Sequence, residues 1–130
     1  MNILIVDDDE DDRELFCDAV NVVDPGINCI VARNGEEALN GLKSRHIPKP
    51  HLIFLDLNMP RINGVQCLRE IKKDPVLHLI PVVIYTTSKL KEDKDITRKL
   101  GAVHFITKPS SLRELCDEIK FAMNKVKVAT

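Results

Sequence analysis

Five side chains stand where apolar runs give way to polar sequence, and their types suit metal and phosphate chemistry. Asp7 and Asp8 follow Ile3-Leu4-Ile5-Val6, Asp56 follows Leu52-Ile53-Phe54-Leu55, Thr86 follows Val82-Val83-Ile84-Tyr85, and Lys108 follows Val103 to Thr107. Closely packed carboxylates repel one another, which raises at least one pKa unless a cation joins them. Hard oxygen ligands with room for water suit Mg²⁺, which takes one or two carboxylates and keeps several waters. A carboxylate can also act as a nucleophile and form an acyl phosphate. A lysine and a hydroxyl beside it can neutralise and hydrogen-bond the oxygens of a transferring phosphoryl group. Each residue has an ordinary explanation when taken alone. Asp9 adds a third carboxylate to the first cluster, whereas Glu10, Asp11 and Asp12 read as acids suited to the positive end of a helix.

The elements that must bring these residues together alternate along the chain. Unbroken apolar runs such as Leu52 to Leu55 read as strands buried on both faces of a parallel sheet. Pro60 cannot donate to a ladder, so the third strand should end before it. Glu10 onward carries Leu15, Phe16, Ala19, Val22 and Val23 at helical spacing, and Asp24-Pro25-Gly26 should stop that helix. Ile27 to Ala32 is expected as a second strand. Asn34 with Glu37 forms a candidate capping box for a helix carrying Ala38, Leu39 and Leu42. After the turn signal Asn63-Gly64, Val65, Leu68 and Ile71 mark a third helix that should end at Asp74-Pro75. Lys89 to Leu100 is charged, with only Leu90, Ile96 and Leu100 apolar, and reads as a weakly anchored helix ending at Gly101. Ser111 and Glu114 open a last helix with Leu115, Cys116, Ile119, Ala122, Met123 and Val126 along one side.

Five βα units without an internal repeat predict an open, doubly wound α/β fold: a five-stranded parallel sheet, flavodoxin-like, with helices on both faces. Five strands are too few for a (β/α)₈ barrel. In the strand order 2-1-3-4-5 the first and third strands are neighbours. All carboxyl ends then share one edge, where open sheets bind ligands. Asp7, Asp8, Asp56, Thr86 and Lys108 should meet there.

Composition narrows the function classes. The 130 residues are expected to form one domain, residues 1–130. With 19 Lys plus Arg against 20 Asp plus Glu, the net charge of −1 gives no global pull toward nucleic acid or a membrane surface. The absence of a signal-peptide pattern and of an apolar run near 18 residues makes a reducing cytoplasm the expected location. Cys17, Cys29, Cys67 and Cys116 are widely spaced with no C-x-x-C pair, and read as small core residues. His46, His51, His78 and His104 are scattered and receive no metal or phosphotransfer role.

From Ile3 to about Val126 the sequence resembles the receiver domains of two-component response regulators. The resemblance rests on Val6-Asp7-Asp8, on the pattern D-x-x-M-P-x-x-x-G at Asp56, Met59, Pro60 and Gly64, on Thr86, and on Lys108-Pro109. It implies that Asp56 is a phosphoacceptor, receiving its phosphoryl group from a histidine kinase or a histidine phosphotransfer protein. It implies that Asp8, Asp56 and the backbone carbonyl of Asn58 bind Mg²⁺, with Asp7 acting mainly through water. Thr86 and Lys108 would contact phosphoryl oxygens, the Lys108-Pro109 bond would be cis, and Phe105 would be the switch aromatic that turns inward as Thr86 moves. The output would be a protein-interaction surface near strands 4 and 5 that engages a downstream protein target.

Three positions depart from the family pattern. Phe105 lacks the hydroxyl of the tyrosine often found there, Thr87 replaces a common alanine or glycine, and Asp9 extends the acidic run. The Asp74-Pro75 to Pro81-Val82 connection and Thr86-Thr87-Ser88 resemble single-domain receivers found beside phytochrome-type kinases. The expectation is a single-domain phosphorylation switch and not an enzyme, although a domain cut from a longer regulator has the same sequence signature. A Mg²⁺-dependent phosphatase of the haloacid-dehalogenase type would need D-x-D, and Asp56-Leu57-Asn58 puts an amide where the general acid belongs. A receiver fold used purely as a binding module would not need the complete acidic set.

Overall fold

The computed structural model describes residues 1–129; Thr130, the last residue of the expected domain, lies outside them. The strands are β1 (Asn2–Val6), β2 (Asn28–Ala32), β3 (Leu52–Leu55), β4 (Val82–Thr86) and β5 (His104–Thr107). The helices between and after them are α1 (Glu10–Val23), α2 (Gly35–Ser44), α3 (Gly64–Lys73), α4 (Lys91–Lys99) and α5 (Leu112–Ala129). All four pairings are parallel and the order is β2-β1-β3-β4-β5, as the alternation of strands and helices predicts.

The sheet divides its side chains between two apolar layers because successive strand residues point to opposite faces. Ile3, Ile5, Leu52, Phe54, Val83 and Tyr85 pack with Phe16, Ala19 and Val20 of α1 and with Leu115, Cys116, Ile119 and Ala122 of α5. Leu4, Val6, Ile53, Leu55, Val82 and Ile84 pack with Ala38, Leu39 and Leu42 of α2 and with Cys67, Leu68 and Ile71 of α3. Covering both faces explains why β1, β3 and β4 are apolar without alternation. Each large side chain buried this way contributes about 1.5–3 kcal/mol, which fixes where the strands end.

Local signals set most boundaries. Asn34 Oδ1 accepts the Glu37 N–H at 2.8 Å, but the Glu37 carboxylate turns to Arg33 at 3.0 Å, so only half of the capping box forms. Asn63 caps α3 by accepting from the Gln66 N–H at 3.0 Å, which makes Asn63-Gly64 a helix start and not a free turn. Ser111 Oγ accepts from the Glu114 N–H and opens α5. The Asp74 backbone is extended before Pro75, and α3 ends there.

Several expected core residues lie elsewhere. Leu15 and Val22 are exposed on α1, because the stripe facing the sheet is Phe16, Ala19 and Val20. Leu90 precedes α4 and is exposed; the buried residue of the helix is Thr97, its hydroxyl satisfied by the Asp93 carbonyl at 2.7 Å, and Leu100 just beyond packs on the core. Cys67 and Cys116 are buried as expected, whereas Cys17 and Cys29 are only half-buried and face each other. No described helix is long and apolar enough to cross a membrane.

Candidate functional site

The parallel register carries the acidic residues to one edge. The Asp7 N–H bonds to the Ala32 carbonyl at 3.1 Å and the Asp56 N–H to the Val6 carbonyl at 3.0 Å, so both aspartates continue the ladder just beyond their strands. Asp7 is fully buried and Asp56 is 4% exposed, while Asp8 faces solvent. One carboxylate oxygen from each of Asp7, Asp8 and Asp56 lies within 4.8 Å of the others.

Lys108 supplies the positive charge. It leaves β5 with its N–H bonded to the Thr86 carbonyl at 2.7 Å, and its ammonium lies 2.8 Å from Asp7, 2.7 Å from Asp12 and 3.4 Å from Asp56. The Lys108 stem passes near Tyr85, whose ring centroid is 5.3 Å from Nζ. Burial alone would push the Lys108 pKa down, but hydrogen bonds to Asp12 and Asp7 and the Asp56 charge outweigh it and raise the value. Burial raises the Asp7 pKa despite the hydrogen bonds from Lys108 and the Asp9 backbone. Burial also pushes the Tyr85 hydroxyl up to about 12.

Thr86 is fully buried at the end of β4. Its Oγ1 accepts from the Ser88 N–H at 3.3 Å and, at 3.5 Å, from the Asn58 side-chain amide. The Asn58 N–H in turn reaches Asp56 Oδ1 at 3.3 Å. The site therefore joins residues expected from the sequence: Asp7, Asp8, Asp56, Asn58, Thr86 and Lys108. Phe105 is half-buried against the α2–α3 layer, with Lys94 Nζ 5.7 Å from its ring centroid. Thr87 is exposed.

Backbone detail completes the edge. The Gly64 N–H donates to the Leu57 carbonyl at 3.0 Å, and a Cβ on Gly64 would collide with the Asp56 carbonyl oxygen and sit 2.5 Å from Leu57 Cα. Only glycine lets α3 approach the loop behind Asp56 this closely. The Lys108-Pro109 bond, expected cis, is trans, since no peptide bond among the described residues is cis. Trans is the ordinary preference of an X–Pro bond by about 0.5–1 kcal/mol, and nothing in this loop reverses it.

Two contributions escaped the sequence reading. Asp9 is the N-cap of α1: its Oδ1 accepts from the Asp12 N–H at 2.9 Å while its own N–H donates to Asp7 Oδ1 at 3.0 Å. That cap aims Asp12, read as a mere helix-dipole acid, at Lys108. Arg13 Nη1 also donates to the Asp7 carbonyl at 2.9 Å.

Asp7 Oδ2 is buried and its contact to the Lys108 ammonium at 2.8 Å is poorly directed, so the oxygen's bonding capacity is not filled. An underused buried carboxylate oxygen beside two further carboxylates fits a divalent cation. Among the described residues, Asp7, Asp8 and Asp56 are the one group of three acids, histidines or cysteines so placed.

The doubly wound sheet and its acidic edge define an open α/β protein with a candidate divalent-cation site at the carboxyl ends of its strands. Residues 3–120 match the family model described as the response regulator receiver domain, and the chain belongs to that family. It is 34% identical over 119 residues to the polar-differentiation response regulator DivK of Brucella anthropi, covering 92% of this chain and 93% of DivK. It resembles the structure of phosphorylated cyanobacterial phytochrome response regulator RcpA with 31% identity and a TM-score of 0.88, covering 99% and 95% of the two chains. The Mn²⁺-bound form of response regulator Rcp1 aligns with 32% identity and a TM-score of 0.82, covering 92% and 89%. The chain is thus a phosphoacceptor domain of two-component signalling, a family of signalling modules that work with kinases and downstream targets.

Proposed function

We propose that residues 1–130 act as one receiver domain in which Asp56 accepts the phosphoryl group. The observation that carries this reading is the shared edge: Asp56 is almost fully buried at the end of β3, with Lys108 Nζ 3.4 Å away and Asp7 and Asp8 beside it. An Asp56 carboxylate oxygen forms a bond to phosphorus as the bond from phosphorus to a phosphohistidine nitrogen breaks. The histidine ring retains the bonding electron pair. Lys108 places its ammonium where the phosphoryl oxygens gather charge, and the Thr86 hydroxyl can exchange its Asn58 contact for one of those oxygens.

Asp8, Asp56 and the Asn58 carbonyl would hold Mg²⁺, with Asp7 acting through water. The bound ion supplies positive charge against the carboxylates and the transferring group. As Thr86 shifts, Phe105 turns into the space beside β4 and alters the surface of β5 and α4. That surface engages a downstream protein; the upstream partner is a histidine kinase or histidine phosphotransfer protein. In this reading the chain works in the cytoplasm, contacts neither nucleic acid nor membrane directly, and is a switch and not an enzyme.

Incubation with Mg²⁺ and acetyl phosphate should produce a base-labile, hydroxylamine-sensitive phosphate, detected by intact mass. Chelation of Mg²⁺ or Asp56→Asn should abolish it. Equal labelling of Asp56→Asn would sink the assignment.

A further inference from the structure

We propose that Cys17 and Cys29 form a reversible intrachain disulfide, a redox modification site distinct from the acidic edge. Cys17 lies on the outer half of α1 and Cys29 on the edge strand β2, and their sulfurs are in contact at 2.6 Å. A disulfide spans about 2.05 Å, so the two sulfurs stand about half an ångström from bonding distance. Both residues are half-buried and reachable by a small oxidant, whereas Cys67 and Cys116 are buried. Cys67 is pushed up to about 12 by burial, and its sulfur points at the Gly35 carbonyl, not at another thiol. Cys29 is paired in register with Ile3, four residues before Asp7, so about 13 Å of strand separates the pair from the site.

A hydrogen bond from Cys29 lowers the Cys17 pKa, although burial and the Asp18 charge oppose it. That same bond, with burial, pushes Cys29 up. Either thiolate can attack an oxidant first, and the balance is the same for both. With a peroxide as oxidant and Cys17 first, its thiolate attacks one peroxide oxygen, breaking the O–O bond and leaving a sulfenic acid; the departing hydroxide takes a proton to become water. Cys29 then loses its proton and attacks the Cys17 sulfur, forming S–S as hydroxide leaves and is protonated to a second water. Two thiols and one hydrogen peroxide give one disulfide and two waters. A metal is the weaker use of this pair, because neither cysteine belongs to a group of three metal-ligating side chains among the described residues.

The reduced chain of residues 1–130 is treated with hydrogen peroxide, then unfolded and alkylated with N-ethylmaleimide. Two alkylated cysteines are expected, Cys67 and Cys116, with a peptide pair joined through Cys17 and Cys29; dithiothreitol should restore four alkylated sites. Four alkylated sites after peroxide, or a bond that joins other cysteines or two chains, overturns the proposal. In Cys29→Ser and in Cys17→Ser the remaining thiol should stop at a sulfenic acid trapped by dimedone. No adduct in either variant overturns the proposed peroxide route. Because the bond closes a short loop between packed elements, the oxidised wild type should melt roughly 5–10 °C above the reduced form. A lower midpoint would show that the native packing does not accommodate the bond.

Discussion

Asp12 Oδ2 lies 2.7 Å from Lys108 Nζ although 96 residues separate them, nearer than the 3.4 Å between Lys108 and Asp56. The first turn of α1 is thereby tied to the end of β5. Because the Asp12 side chain is 35% exposed, this pair is partly screened. Asp12→Asn should lower unfolding free energy by about 0.5–1 kcal/mol, read from urea denaturation. Acetyl phosphate labelling of Asp56 should persist. A loss of labelling would instead make Asp12 part of the phosphoryl-binding set.

Burial raises the Asp7 pKa, so the folded protein binds that proton more tightly than the unfolded chain does. The stability linked to this group is fully present below the unfolded value, near 3.9, and is lost as pH rises through the higher folded value. Burial thus disfavours the ionised form of Asp7, a cost that a bound divalent cation would reduce. With a chelator at pH 7, Asp7→Asn should be more stable than wild type by about 1 kcal/mol, since Lys108 keeps Asp12 and Asp56 as partners. Added Mg²⁺ should raise the wild-type Tm more than that of the variant. Thermal melts with and without Mg²⁺ test both statements.

Gly64 fits where no side chain does. The collision of an added Cβ with the Asp56 carbonyl oxygen and the Leu57 backbone involves main chain on both sides, so a rotamer change cannot relieve it. Gly64→Ala should destabilise by about 2–3 kcal/mol and displace the loop that follows Asp56. Loss of both Tm and phosphorylation is the expected result; an unchanged Tm would contradict the packing.

Thr86 Oγ1 is a buried acceptor for the Ser88 N–H. Thr86→Ala leaves that donor short of a partner and should lower stability by about 1 kcal/mol, whereas Thr86→Ser keeps the oxygen and most of the stability. Comparing both variants by denaturation separates the hydroxyl from the methyl. Acetyl phosphate labelling should fall in the alanine variant and recover in the serine variant.

The fold was legible because burial on both faces leaves a strong trace in sequence. Ile3 to Val6, Leu52 to Leu55 and Val82 to Tyr85 have almost no polar residues, and each ends at a residue of the site. Strand order then brings Asp7 and Asp56 together without further information. Asp12 was hidden because an acid in a first helical turn is favourable whether or not it has a distant partner. The Cys17–Cys29 contact was hidden for a related reason: the rotation of α1 over β2 decides it, and neither cysteine sits in a motif. That rotation also exposes Leu15 and Val22. Leu90 illustrates a limit of counting apolar residues, since the side chain that α4 buries is a threonine whose hydroxyl is satisfied within its own helix.

The central cation of the site is encoded late. Lys108 follows Asp56 by 52 residues and Asp12 by 96. At translation speeds of about 5–20 residues per second, roughly 3–10 seconds separate emergence of the last acidic ligand from emergence of the lysine that compensates it. A nascent chain thus exposes its carboxylates before the lysine that compensates them has been made. The ammonium and α5, which covers α1, arrive together and close the domain in one late step.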